Sequence, residues 1–205
     1  MCGRYYIDTA EDNVELEKII EEVNRRTGGE GVKTAGEVFP TDTVPVLASD
    51  IDELTAVFAM KWGYSLPGGQ VVINARSESA AEKPLFQNSL RRRRCVVPAS
   101  HYFEWEKRGT EKVKYAIRLE NDPVLYMAGI YRVEGGQPVF SIPTRAPADA
   151  IRHIHDRMPV ILPAGAVDDW LTPRYAAQDV LRQARLDVAF SLAECPESEQ
   201  MSFLI

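Results

Sequence analysis

The sequence predicts an α+β fold, a single domain in which an antiparallel, β-barrel-like core sheet is flanked by short helices. Segments rich in β-branched and aromatic residues dominate the middle of the chain and are separated by Gly, Pro and Asn turns. Helical periodicity is confined to the segments around them. The 205 residues contain no repeat or linker, so we take residues 1–205 as one domain with a sizeable core.

The first predicted helix covers residues 9–29, TAEDNVELEKIIEEVNRRTGG. Thr9 or Asp12 can cap its start, acidic residues crowd its first turns, and Gly28 with Gly29 ends it. Five apolar residues make one stripe that is expected to face the core: Val14, Leu16, Ile19, Ile20 and Val23.

The remaining segments alternate between strands and short helices by the same criteria. The predicted strands, some with adjoining loop, are residues 33–49, 54–64, 70–79, 95–107, 113–120, 123–135, 137–144 and 157–163. The predicted short helices are residues 80–94, 146–154, 164–173 and 174–185. The dense run of strands between 95 and 144 is therefore expected to form the core sheet.

Composition and charge argue against several classes of protein. No apolar run approaches the roughly 18 residues of a membrane span, and the first segment is too polar for a signal peptide. We therefore expect a cytoplasmic, nucleoid-associated protein with no membrane partner. Cys2, Cys95 and Cys195 lack zinc-site spacing, and their odd number predicts free thiols. The net charge of −6 speaks against a nucleic-acid coat but permits a local basic groove.

The opening stretch MCGRYY places a cysteine at position 2. Once Met1 is removed, Cys2 carries an α-amine and a thiol on adjacent carbons, with ordinary pKa values of about 8 and about 8.5. A 1,2-aminothiol condenses with an aldehyde to a Schiff base, and the thiolate then closes a thiazolidine ring. The thiol alone can instead attack an amide or ester beside a base. A small residue at this position can also be incidental.

The stretch HYFEWE contains a candidate general acid or base, Glu104. Strand alternation puts Tyr102, Glu104 and Glu106 on one face, with Phe103 and Trp105 on the other. A carboxyl group beside aromatic rings can have a raised pKa and exchange protons near neutral pH. The same pattern also fits an exposed strand face.

The stretch RHIHDRMP holds two of the three histidines, His153 and His155. Histidine titrates near neutral pH and can shuttle protons. On an extended segment both rings share a face, so a metal pair with Asp156 is conceivable. No third ligand stands at a convincing spacing, so we predict no metal, and either ring can be purely structural.

Three further stretches offer polar or stacking groups. VINARSES places Asn74 and Arg76 on one face at a strand end, where they can orient an oxygen and hold a phosphate. MKWG offers Trp62, which can stack on an unpaired base or belong to the core. The run at residues 91–94, RRRR, fits phosphate contacts. It can equally stabilise a helix C-terminus or pair with internal acidic residues, and such a structural role is favoured over phosphate contacts.

Taken in order, the stretches MCGRYY, MKWGY, INARSES, RRCVVPASHYFEW, YMAGIY and IHDRMPVIL resemble the SRAP family, the SOS response-associated peptidase or abasic-site processing proteins. The match runs from residue 2 to about residue 172. The resemblance implies a compact α+β domain with a barrel-like core. It also implies binding to single-stranded DNA, a covalent link to ring-opened abasic sites through the N-terminal Cys, and a proposed autopeptidase activity that removes Met.

The resemblance assigns expected roles to the candidate residues. Cys2 matches the nucleophile and cross-linking residue, Asn74 the active-site Asn, Glu104 the acid/base, and His155 the second proton-transfer residue. The residues that fall where the family contacts DNA are Arg4, Trp62 and Arg76.

Three stretches depart from the family's pattern. SHYFEW replaces the usual DGFYEW, so His101 stands where a glycine is common. FSIPTRAP replaces TITTxA and keeps Thr144. The tail, DVAFSLAECPESEQMSFLI, matches only loosely.

We therefore expect a monomer that senses abasic sites in single-stranded DNA at stalled replication forks. It would form a thiazolidine crosslink through Cys2 and show weak lyase activity, with no cofactor, because the aldehyde is already electrophilic. Two alternatives remain. One is a thiol peptidase that uses Cys2 with His155 and Glu104, and the other is a DNA-binding module in which Cys2 is incidental.

Overall fold

The computed structural model describes residues 2–8 and 13–193 of the chain. The first seven strands are β1 (Arg4–Ile7), β2 (Gly36–Val38), β3 (Thr43–Ser49), β4 (Thr55–Trp62), β5 (Tyr64–Ser65), β6 (Val71–Val72) and β7 (Asn74–Arg76). The later strands are β8 (Arg94–Ala99), β9 (His101–Arg108), β10 (Glu111–Leu119), β11 (Leu125–Glu134), β12 (Gln137–Arg145), β13 (Met158–Pro159), β14 (Ile161–Leu162) and β15 (Val188–Leu192). The helices are α1 (Val14–Thr27), α2 (Pro84–Arg92), α3 (Val167–Leu171) and α4 (Ala177–Leu181).

Five strands close into the barrel that the sequence predicts. Their order is β12, β4, β3, β8 and β11, and β11 pairs back onto β12. Closure leaves no free edge among these five strands, and their inward side chains form much of the core. The predicted α+β class and barrel core are confirmed, with strands far outweighing helices.

The pairing of β12 differs from the prediction on two ladders, one inside the barrel and one beside it. The ladders β4–β12 and β7–β12 are parallel, whereas an antiparallel sheet is expected from the sequence. Parallel neighbours need a long crossover and have no hairpin turn between them. The residues of β7 and β12 are about 70 positions apart in the chain, so no local turn signal announces the pairing.

A second sheet holds the N-terminus. Its order is β15, β10, β9, β1 and β2, so β1 lies between two partners. In this ladder Tyr5 pairs with Tyr102 of β9 and with Val38 of β2, and all three side chains are buried. Cys2 is fully buried as well, so the start of the chain is held inside the fold.

Helix α1 begins at Val14, and Asn13 caps it by accepting a hydrogen bond from the Leu16 amide at 3.4 Å. The predicted caps Thr9 and Asp12 lie outside the described residues. The helix ends at Gly28, which adopts a left-handed conformation with φ of 70°.

The predicted stripe of α1 is confirmed except at Val14, which is 55% exposed. The buried residues follow the i, i+3, i+4, i+7 pattern from Leu16. Val14 lies two positions earlier, about 200° around the helix from Leu16, so it faces away from the core.

The arginine run divides between surface and structure. Arg94 is buried, donates hydrogen bonds to the carbonyls of Pro173 and Tyr175, and lies 5.2 Å from the Trp170 ring. The other three arginines are exposed, and two of them help to line a cavity of about 430 Å³ that contains none of the predicted site residues.

The segment at 146–154, predicted to be a short helix, forms only a short 3₁₀ turn. Strand β15 lies in the tail of the sequence, which matches the family's pattern only loosely. Cys95 is a buried free thiol, and Cys195 lies outside the described residues. None of the described helices is long and apolar enough to cross a membrane.

Candidate functional site

The site forms where the start of β1 meets β7, β9 and the loop that follows the 3₁₀ turn. The buried Cys2 is held there by Asn74, whose side-chain amide donates a 2.9 Å hydrogen bond to the Cys2 carbonyl. The Asn74 Oδ1 atom is buried and accepts no hydrogen bond from the described residues. This oxygen is therefore available to orient a donor beside Cys2, such as a terminal amine.

Burial keeps the Cys2 thiol protonated. It raises the pKa of Cys2 above the ordinary range, and the nearby Glu104 carboxylate adds to the effect. The sulfur makes only a weak 3.9 Å contact to the Arg4 carbonyl. A raised pKa favours the thiol over the thiolate at neutral pH.

Glu104 lies on the inner face of β9, where its side chain is 3% exposed. Burial raises its pKa to about 7, because the carboxylate loses its water shell. The alternation predicted from the sequence accounts for this placement. Tyr102 and Glu104 are buried, while Lys114 lies over the rings of Phe103 and Trp105 on the other face.

His155 faces Glu104 from the loop before β13, with 3.9 Å between Nε2 and the carboxylate Oε2. Its Nδ1 accepts a 3.0 Å hydrogen bond from the Arg157 amide, which can only donate. The neutral ring therefore carries its proton on Nε2, toward Glu104. Asp156 lies 2.9 Å from Nδ1 and would stabilise a protonated ring, but burial lowers the pKa of His155 overall.

The two histidines do not share a face as the sequence suggests. The segment is a turn rather than an extended strand, so the side chains diverge. His153 packs edge-on against Phe190, with 5.2 Å between the ring centroids, while His155 points toward Glu104. The metal pair with Asp156 that the sequence made conceivable is therefore not formed by this geometry.

The two predicted DNA-contacting arginines flank the Cys2 region. Arg4 is part-buried, contacts Glu37 at 3.2 Å, and lies over the Phe39 and Trp105 rings. Arg76 is exposed at the end of β7, two residues after Asn74. Of the two, Arg76 has the more accessible side chain for a phosphate.

Trp62 lies in the core of this structure, which is one of the two roles that its sequence allows, and base stacking stays an untested prediction. Its side chain is fully buried, stacks on Phe140 at 6.2 Å, and tilts against Tyr5 at 5.3 Å. The indole Nε1 donates a hydrogen bond to the Ile73 carbonyl at 3.2 Å. Trp62 ends β4 in register with Phe140 of β12, so the barrel closes around it.

Arg157 is a positioning residue that sequence reasoning missed. Its guanidinium makes two 2.8 Å hydrogen bonds to Glu78 and a third to the Thr144 carbonyl. Its backbone amide also orients His155. The available signal was its place in IHDRMPVIL, two residues after the histidine.

The fold and the site together define a class of protein. It is an α+β domain with a barrel core, and its candidate nucleophile is Cys2, which becomes the first residue once Met1 is removed and lies in the same site as a carboxyl group and a histidine. The chain belongs to the family described as SOS response associated peptidase (SRAP), whose model matches residues 1–196.

Two relatives are similar along most of their length. The abasic site processing protein YoaM of Bacillus subtilis (strain 168) is 29% identical, and the match covers 100% of this chain and 92% of YoaM. The abasic site processing protein YobE of the same strain is 30% identical, with 100% and 96% covered. A crystal structure of a Bacteroides thetaiotaomicron protein superposes with a TM-score of 0.77 at 21% identity, covering 94% of this chain and 92% of that one, which supports the fold.

Proposed function

We propose that this chain, once Met1 is removed, recognises an abasic site in single-stranded DNA and joins it covalently through a thiazolidine on Cys2. The observation that carries the proposal is the 2.9 Å hydrogen bond from Asn74 to the Cys2 carbonyl. It fixes the terminal residue inside the fold, where Glu104 and His155 face each other. The names of the relatives, abasic site processing proteins, support the choice of substrate.

The reaction begins with the Cys2 amine. Its nitrogen attacks the C1′ aldehyde of the ring-opened sugar, a C–N bond forms, and the carbonyl oxygen takes a proton. Loss of water gives the imine, and addition of the Cys2 S–H across C=N forms the C–S bond and places the proton on nitrogen. The same imine permits β-elimination, so we propose weak lyase activity as well. No cofactor is required, because the aldehyde is electrophilic.

Glu104 is suited to the proton transfers in these reaction steps. With a pKa of about 7, it can donate a proton to the departing water and later accept one from the thiol. His155, with its Nε2 proton directed at Glu104, can exchange protons with the carboxyl group as the two approach more closely. Asn74 Oδ1 can accept a hydrogen bond from the amine or a sugar hydroxyl.

A protonated Cys2 thiol favours a reaction in which the amine attacks first and the sulfur second, rather than peptidase chemistry. A cysteine peptidase attacks with a thiolate at neutral pH. Burial and Glu104 raise the pKa of Cys2 here, so the amine is the better first nucleophile. We therefore keep the peptidase and the reversible DNA-binding module as outcomes of the test.

The proposed partner is single-stranded DNA at a stalled replication fork, bound by the chain as a monomer. Arg76 is exposed beside Asn74 and can contact a phosphate, while Arg4 lies over aromatic rings close to Cys2. A single strand has no second strand to restrict its backbone, so its abasic sugar can enter a buried site more easily than one held in a duplex.

A gel experiment tests the proposal. The chain, with removal of Met1 verified by mass, is mixed with single-stranded DNA that carries one abasic site, beside intact DNA. We expect a heat-stable covalent band only with the lesion. The band should vanish in Cys2→Ser and persist in Cys95→Ser, a matched loss of a buried internal thiol.

The alternative outcomes are distinct. Absence of the band with fully processed chain would overturn the proposal. Peptide turnover without an adduct would instead indicate a thiol peptidase. Reversible binding to intact strand that is unaffected by Cys2→Ser would indicate a DNA-binding module.

Arg76 provides a separate prediction about the DNA contact. We expect Arg76→Ala to weaken binding to single-stranded DNA severalfold and to reduce the slope of log affinity against log salt by about 0.7, because one phosphate contact is lost. Thermal unfolding should not change, since the side chain is exposed. The control is Arg25→Ala, an exposed arginine paired with Glu22 on α1. Equal slopes for wild type and Arg76→Ala would remove Arg76 from the DNA surface.

A further inference from the structure

A buried tyrosine hydroxyl beside the candidate site has no hydrogen-bond partner. Tyr102 is fully buried, and its OH atom finds neither donor nor acceptor among the described residues. Buried polar groups in native proteins are nearly always satisfied, so each exception calls for a reason, and unsatisfied groups that persist concentrate at functional sites.

Tyr102 lies on the same face of β9 as Glu104. It lies two residues before Glu104 on β9, so both side chains share the inner face of the sheet. It pairs with Tyr5 of β1, three residues after Cys2. Phe103, between Tyr102 and Glu104, turns to the outer face, where the Lys114 ammonium lies 4.1 Å from its ring centroid.

Electrostatic coupling links the hydroxyl to the same two residues. Burial raises the pKa of Tyr102 well above its ordinary value, and Cys2 and then Glu104 raise it further. The phenol is therefore protonated throughout the neutral range and is available as a hydrogen-bond donor.

Ring closure creates a need for such a donor. As the S–H bond breaks, negative charge develops on a sulfur atom that is fully buried. The nearest cation along β1, Arg4, is directed to Glu37 and to the Phe39 and Trp105 rings. Charge that develops in a buried site is stabilised most effectively by donors already in place.

We propose that the Tyr102 hydroxyl donates a hydrogen bond to the Cys2 sulfur during closure of the thiazolidine ring. The inference rests on the proposed function. In this step the C–S bond forms, the C=N electron pair moves to nitrogen, and the thiol proton passes through Glu104 to that nitrogen. The phenol keeps its own proton, so Tyr102 stabilises charge and the balance of atoms is unchanged.

The test separates imine formation from ring closure. Wild type, Tyr102→Phe and Tyr64→Phe are mixed with single-stranded DNA that carries one abasic site, and samples are quenched with borohydride over time. Nuclease and trypsin then release the peptide of residues 2–4, which contains Cys2 alone among the cysteines. Reduced imine is two hydrogens heavier than thiazolidine, so mass spectrometry gives the ratio of the two species.

We expect Tyr102→Phe to form imine at the wild-type rate and to close the ring about tenfold to a hundredfold more slowly, as for loss of one hydrogen bond to a charged atom. Reduced imine should therefore accumulate only in this variant. Its melting temperature should be unchanged or higher, because an unsatisfied buried hydroxyl is removed. Tyr64→Phe removes a buried hydroxyl next to Phe86 and should match wild type.

A double variant checks the position of the hydroxyl. Y102F/F103Y moves it to the outer face beside Lys114, and we expect it to behave like Tyr102→Phe. Wild-type closure rates in Tyr102→Phe, or rescue by the double variant, would overturn the inference and leave the crosslink intact. If wild type itself forms neither imine nor thiazolidine, the proposed function fails instead.

Discussion

Replacing Glu104 by glutamine should stabilise the fold at pH 8 and slow crosslink formation by about a hundredfold or more. Burial raises the pKa of Glu104 to about 7 from an ordinary value of 4.5, so the folded chain resists its ionisation. Glutamine has nearly the same shape and cannot ionise. It removes the cost of a buried charge together with the proton that the reaction uses.

The sign of the pH dependence follows from proton binding in the two states. Between about pH 4.5 and 7, the unfolded chain has released the Glu104 proton and the folded chain retains it. The free energy of unfolding therefore falls as pH rises through this window, by about 3 kcal/mol in total. Above pH 7 both states are ionised and the loss is complete. In Glu104→Gln this fall should be absent.

Urea unfolding at pH 4.5 and pH 8 measures this difference. The matched control is Glu106→Gln on the same strand, where a hydrogen bond from Arg108 lowers the pKa of the carboxyl group. That group contributes stability at neutral pH that is lost on acidification, so its replacement should act in the opposite direction. If wild type and Glu104→Gln lost the same stability between the two pH values, Glu104 would not be the buried acid described above.

Crosslinking tests the role of the same residue in catalysis. The wild-type rate should change with an apparent pKa near 7, and Glu104→Gln should show no such inflection. An equal rate in the two proteins would mean that another group transfers the proton.

Replacing Trp62 by alanine should lower the free energy of unfolding by about 3–5 kcal/mol, the range for large aromatic residues removed from a core. The indole is fully buried, packs on Phe140 and Tyr5, and donates a hydrogen bond to Ile73. Chemical denaturation measures the loss. Trp105→Ala is the control, and because Trp105 is part-exposed, we expect it to cost less.

DNA affinity separates a core role from a base-stacking role. Trp62→Leu retains apolar volume but has no ring, and we expect its affinity for single-stranded DNA to equal that of wild type while the protein is folded. Loss of a stacked base would instead cost about 1–3 kcal/mol of binding free energy. A loss of that size in folded Trp62→Leu would show that the side chain leaves the core to bind DNA.

Much of the local structure could be predicted because the relevant forces act over a few residues. The apolar spacing from Leu16 to Val23 gives the buried face of α1, and alternation in HYFEWE gives the inner face of β9. Val14 and Trp62 are two positions at which such patterns do not predict whether the side chain is buried. A side chain's type says that it can be buried, whereas its angle around a helix or its place in a closed barrel decides whether it is.

The candidate site shows the same division. Each residue stands in a recognisable stretch, but the sequence contains no distances among Cys2, Asn74, Glu104 and His155. The Asn74–Cys2 hydrogen bond spans 72 positions. It exists because β7 pairs with β12 in parallel while β1 is held between β2 and β9. The catalytic roles themselves stay predictions until the crosslinking experiments are done.

The sequence alone predicts where the strands lie along the chain, one amphipathic helix, and a cysteine that carries both a free amine and a thiol once Met1 is removed. Only the tertiary structure buries that thiol, raises the pKa of Glu104, and leaves the Tyr102 hydroxyl without a partner. The physical reason is the distance along the chain over which each interaction acts. Backbone propensity and side-chain periodicity act between near neighbours, whereas desolvation and strand register depend on which distant segments pack together.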